Sequence, residues 1–408
     1  MAVNAGEILT VGGANVIDRL QSAGLGNVQL PVETIREVGN RLVVDKVPGE
    51  PDYSFSMESL DVSTDLMALL TGKVGAKASG AAPGSADPVG TKYRWEDCSY
   101  VNIASPWKEA ATGSAGVIEA GHLIPGYYPT RMRQRFGVTD NATQEVELAG
   151  GSYYYAGHAP VEEFATGTGA ATAFSSTDPA VQHRKGGEEG TTFRNVFGVI
   201  VDDELMVEDV DFTVAGGNGT PVTITFNSAP EAGALVRFTY FTSAVKDYPQ
   251  PVHADVVVKP GAVRGRNIRI LIDNVRLGSV QSWEMEATIE GEAIRELGND
   301  EVVGRTISGT DCTGTITVRS KSTRSFLELL EQVTGVPQTE VIGYFSQKAV
   351  ELKVEIENPK DPGQILKTIV IEDAIIQPPG TPARVNTPTD FALAVASRSG
   401  SFYEIKSS

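Results

Sequence analysis

The sequence predicts a mainly β fold: β-barrel or sandwich units with one short α-helix per repeat, two of them in tandem, and an inserted small β-sandwich or Ig-like module. Three observations carry that expectation. Apolar and polar residues alternate over short runs throughout the 408-residue chain, the period of half-buried strands. Phrases of the first part recur later in the same order. The stretch between the two sets of phrases has no counterpart in the second. The expected boundaries are 1–156, 157–243 and 244–408.

The repeat begins at residues 25–29 (LGNVQ), which match 277–281 (LGSVQ), and continues with 35–40 (IREVGN) and 294–299 (IRELGN). The second copy has seven more residues between these phrases, as if a strand were lengthened. Residues 53–59 (YSFSMES) correspond to 314–320 (GTITVRS), each an alternating strand leading into a short helix. The first helix has Ser63 or Thr64 as cap, Leu66, Met67, Leu69 and Leu70 as apolar residues, and Gly72 as stop. The second uses Ser322 or Thr323, then Phe326, Leu327, Leu329, Leu330 and Val333, with Gly335 and Pro337 at its end. Further on, 101–106 (VNIASP) match 354–359 (VEIENP), 129–132 (PTRM) match 382–385 (PARV), and 151–154 (GSYY) match 400–403 (GSFY).

The inserted stretch reads as all-β. Val199, Ile200 and Val201 and then Leu205, Met206 and Val207 flank Asp202 and Asp203 as a hairpin, and runs at 212–214, 222–226 and 235–240 continue the alternation between glycine-rich turns. The acidic run Asp202, Asp203, Glu204, Glu208, Asp209 and Asp211 lacks the ligand spacing and glycine of a calcium loop and fits a solvated hairpin.

Composition narrows the function classes. Fifty-two acidic against 34 basic residues give a net charge of −18, which argues against wrapping nucleic acid over the whole surface. No apolar run reaches the roughly 18 residues of a membrane helix, and no basic-then-apolar leader opens the chain, so neither membrane insertion nor export is expected. Cys98 and Cys312 fall at non-matching repeat positions and read as free thiols. The four histidines have no metal-ligand spacing, and no nucleophile elbow, Walker loop or HExxH occurs. The expectation is a protein that is not an enzyme and holds no cofactor or metal.

Two surfaces stand out. Glu284, Glu286 and Glu290 alternate with Trp283, Met285, Ala287 and Ile289, while Glu351, Glu355 and Glu357 alternate with Val350, Leu352, Val354 and Ile356. Such strands can line an acidic, water-filled surface or form an ordinary solvated sheet face. Arg131, Arg133 and Arg135 alternate with Met132, Gln134 and Phe136, a stripe suited to carboxylates of a neighbouring subunit, to phosphate, or to keeping a sheet edge solvated. Arg384 belongs to the matching phrase of the second copy.

The element order in each copy, and above all the wording PPGTPARVNTPTDFALAVASRSGSF at 378–402, resembles the bacteriophage tail tube (major tail protein) family over residues 15–156 and 255–405. The resemblance implies a structural virion protein whose domains close into a ring with a sheet as inner wall. With two domains per chain, three chains would make a pseudo-hexameric ring, and rings would stack into a tube. Implied partners are further copies of itself, a tape-measure protein, a tail terminator and baseplate or tip proteins. Double-stranded DNA would cross the lumen without specific binding during genome ejection. The implied location is the virion tail, assembled in the bacterial host cytoplasm. The six glutamates above are the candidate lumen-lining residues, and Arg131, Arg133, Arg135 and Arg384 the candidate inter-subunit contacts. Alternatives are a decoration or baseplate-hub protein, or a carbohydrate-binding adhesive β-protein.

Overall fold

The computed structural model describes residues 10–11, 14–15, 20–25, 32–35, 45–48, 53–60, 65–71, 89–107, 117–118, 120–184, 193–246, 263–295, 302–320, 348–377 and 389–407, with positions 328, 331, 335 and 337. The fold is mainly β, as expected. In the first half the strands that matter are β1 (Leu20–Leu25), β2 (Tyr53–Ser59), β3 (Val101–Trp107), β4 (Ala120–Gly137) and β5 (Thr143–Gly150). One short helix, α1 (Asp65–Leu70), follows β2 and buries Leu66, Met67, Leu69 and Leu70. Thr71 stops it by donating its hydroxyl to the Met67 carbonyl at 2.9 Å. The second helix expected after residue 322 lies largely outside the described residues, as does Arg384.

The second half contributes β6 (Ile268–Ile272), β7 (Val280–Arg295), β8 (Val302–Ser320), β9 (Ala349–Glu357), β10 (Ile365–Gln377), β11 (Thr389–Ser397) and β12 (Tyr403–Lys406). Neighbours pair antiparallel in the order β1–β2–β5–β4–β3 in the first half. In the second half the order is β7–β8–β11–β10–β9, with β6 beside β9. Each strand thus holds the place of its counterpart in the other half.

The two sheets are one. β4 pairs with β7 over seven residue pairs, from Ser282 opposite Gly137 to Thr288 opposite Arg131. Alternation explains the packing: Met132 and Phe136 of β4, Trp283 and Met285 of β7, Ile316 of β8 and Leu393 of β11 turn to a single apolar core shared by both halves. Cys98 and Cys312 lie in that core as free thiols, and burial pushes the Cys312 thiol up to about 12.

The middle stretch forms a separate antiparallel sheet around Leu235–Thr242, whose eight residues are all buried. Its own core contains Val199, Phe212, Ile224, Phe226, Phe238 and Tyr240. The hairpin Phe197–Val201 to Glu204–Leu205 turns at Asp202, whose φ is 52° and whose carboxylate accepts the Leu235 amide at 2.9 Å. Asp211 likewise accepts the Val207 amide, and Glu208 pairs with Arg194 at 3.1 Å, so the acidic run organises its own turns.

This module sits on β3 and the start of β4. Phe197 and Phe241 pack with Ala104 and Leu123. Asn102 donates to Glu162 at 3.1 Å and to the Gly198 carbonyl at 2.9 Å, and accepts the Gly126 amide at 2.9 Å. Gly198 is required there: its φ is 52°, and a Cβ would come within 2.3 Å of the Asn102 side chain. Arg237, wholly enclosed, donates to the Tyr100 carbonyl at 2.9 Å.

Candidate functional site

The face of the joined sheet that turns away from the core carries an ordered array of side chains. Directly paired residues share a face, so the register itself defines rows across it. One row runs Ser22, Glu58, Glu145, Arg133, Glu286, Thr313, Ala396. Beside it run Gly24, Ser56, Glu147, Arg131, Thr288, Asp311 on one side and Thr143, Arg135, Glu284, Thr315, Ala394, Gln377 on the other. At about 4.8 Å per strand the first row crosses roughly 29 Å.

Two properties follow from these residues. Apart from Ile375 of β10, which stands opposite Ala396 at the end of the first row, no apolar side chain larger than alanine stands on the rows, so the face offers little for a dry interface. Six carboxylates against three guanidinium groups leave it net acidic.

The charges are arranged as a ladder across the joint. Arg133 donates through Nε to Glu284 at 2.6 Å and again through Nη2, and its Nε lies 3.9 Å from Glu286. Arg135 reaches Glu284 at 3.1 Å, and Arg131 meets Glu147 at 2.9 Å and Glu145 at 3.6 Å. Partial burial works against the charge on Glu284, but the hydrogen bonds from Arg133 and Arg135 outweigh it and hold the carboxyl below its ordinary range.

The candidate residues therefore separate. Glu284 and Glu286 meet Arg131, Arg133 and Arg135 on one face, and Glu290 extends the β7 side of it, exposed opposite Gly309. Within this chain Arg133 and Arg135 reach Glu284 across the joint between the halves, while Arg131 pairs with Glu145 and Glu147 of its own half. Glu351, Glu355 and Glu357 stand on β9, which does not belong to these rows. There Glu351 pairs with Lys353 at 2.7 Å, and Glu357 is buried against Arg269.

Sequence reasoning missed Glu58, Glu145 and Glu147, whose alternation with Met57, Val146 and Leu148 was the available signal. It also missed a buried polar group formed by Gln134, Lys367 and Glu404, for which side-chain type and spacing gave no sign. Among the described residues no group of three or more His, Cys, Asp or Glu could hold a metal ion, and no helix is long and apolar enough to cross a membrane.

No protein-family model matches this chain, and no curated protein matches it significantly.

Proposed function

We propose that the protein is a structural subunit of a hollow tube of the bacteriophage tail-tube kind, with the joined sheet as its inner wall. The observation that carries this reading is the β4–β7 joint. It unites two sheets of equal strand order head to tail, the second part of β4, beyond the residues that pair with β3, lying against β7, β1's counterpart in the other half. A head-to-tail contact between like units is heterologous, and repetition closes such contacts into rings or extends them into helices. Among the described residues β1 pairs only with β2, leaving its outer edge in position to receive the same contact from another copy.

Size favours three chains. Eight strands per chain, β1, β2, β5, β4, β7, β8, β11 and β10, lie in series. Three chains give about 24 strands and a circumference of at least ~115 Å, hence a bore of roughly 25 Å after inward side chains, enough for a DNA duplex. Two chains would leave only about half that. A net-acidic wall repels a polymer carrying one negative charge per ~1.7 Å, which favours passage over capture.

Purified protein imaged by negative stain, with mass measured on the same sample, tests the reading. Closed rings of three chains, or tubes stacked from them, are expected. A monomer at all concentrations, or one that binds glycan, would instead favour the adhesive alternative.

A further inference from the structure

Inside the shared core, far in sequence from one another, three reactive groups converge. Lys367 on β10 donates Nζ to Glu404 Oε1 of β12 at 2.7 Å, and Gln134 of β4 donates Nε2 to the same oxygen, also at 2.7 Å. Their exposures are 0 %, 0 % and 1 %, so an amine, a carboxylate and a carboxamide lie together in the interior. Glu404 Oε2 and Gln134 Oε1 are buried without a hydrogen-bond partner. Leaving acceptors so is costly, at about 1–3 kcal/mol each, and asks for an explanation.

We propose that Lys367 and Gln134 become joined by an intramolecular amide bond, with Glu404 transferring the protons. Glu404 first takes a proton from the Lys367 ammonium, turning the buried ion pair into a neutral amine and a neutral acid, which removes two charges from the interior. The protonated carboxyl then donates to the Gln134 carbonyl oxygen, giving that orphaned acceptor a partner and polarising the carbon. Nζ forms a bond to Gln134 Cδ, and the Cδ–Nε2 bond breaks. Glu404 passes the proton to the departing nitrogen, which takes the second proton shed by Nζ as well and leaves as ammonium, so that the charge of the Lys367 ammonium departs with it. No oxidant, reductant or cofactor enters, and Glu404 ends as it began. The product ties β4 of the first half to β10 of the second across the core, behind the charged ladder.

Mass spectrometry of the wild-type protein decides. The linked chain should weigh about 17 Da less than its sequence, the mass of ammonia lost when a lysine amine displaces an amide nitrogen. Trypsin should fail at Lys367 and release residues 361–384 carrying the dipeptide Gln134-Arg135 as a branch on Lys367. The Glu404→Gln variant should show the uncrosslinked mass and normal cleavage at Lys367. A wild-type chain of full sequence mass cleaved at Lys367 overturns the proposal, and this holds even if the variant fails to fold. A loss of about 18 Da with Lys367 attached to Glu404 overturns it too, because the carboxylate would then be the acyl donor.

Discussion

Strands β3 and β9 occupy the same place in the two halves and carry related phrases, yet they live in different surroundings. β9 alternates, burying Val350, Leu352, Val354 and Ile356 and turning Glu351, Lys353 and Glu355 outward. β3 is buried on both faces along six of its seven residues. At the positions where β9 has Glu355 and Glu357, β3 has Asn102 and Ala104, and the middle module lies over them. A carboxylate at such a position asks for water or a cation. An amide, with two donors and an acceptor, can instead be satisfied inside a protein contact. A change of two side chains thus accompanies a change from solvent face to docking face.

Removing an anchor of the docked module is the strongest way to break this comparison. Phe197→Ala should cost about 3–5 kcal/mol in denaturant unfolding. Hydrogen exchange should rise in the module and β3 while β8 and β11 keep their protection; equal loosening of β8 would mean that the halves do not respond separately.

Acid should act next, and on the same half. Burial depresses the His122 imidazole to about 4, below its ordinary 6.5, beside Trp107 and Tyr153. The unfolded chain therefore takes up this proton first. The stability tied to neutral His122 is complete above the ordinary value and is lost as pH falls toward 4, by roughly 3 kcal/mol in all. His122→Gln should flatten that part of the stability–pH curve; an unchanged slope would count against the assignment.

Exchanging the corresponding residues sharpens the contrast further. Asn102→Glu sets a second carboxylate against Glu162 and should destabilise by about 2 kcal/mol, whereas the reciprocal Glu355→Asn should stay within about 0.5 kcal/mol. Similar effects at both sites, read from paired urea melts, would remove the distinction drawn here. The smallest effect belongs to the ladder: Arg133→Ala should cost under about 1 kcal/mol, because its partners remain open to water. Since Glu284 titrates below its ordinary range, this contribution is present at neutral pH and fades as acid protonates the carboxyl. Wild type and variant should therefore converge in stability at low pH.

The sequence showed the mainly β class, the strands 53–59 and 101–106, the first helix and the parity of the arginine stripe because each is written in local alternation. It did not show that Arg133 and Glu284, 151 positions apart, would be neighbours, since strand pairing at long range leaves no periodic trace. Lys367 and Arg237 were hidden for another reason. Each sits in a β-branched or aromatic run where a long cation ordinarily marks the solvent side, yet both are enclosed and bonded to distant groups.

Past the joint, the charged rows pass through Thr313, Thr315, Ala394 and Ala396 on β8 and β11. Alanine has no rotamers to freeze and threonine few, so contact with this stretch takes almost no side-chain entropy from the protein. In the proposed tube, a chain sliding along this stretch would meet short side chains with few conformations to lose.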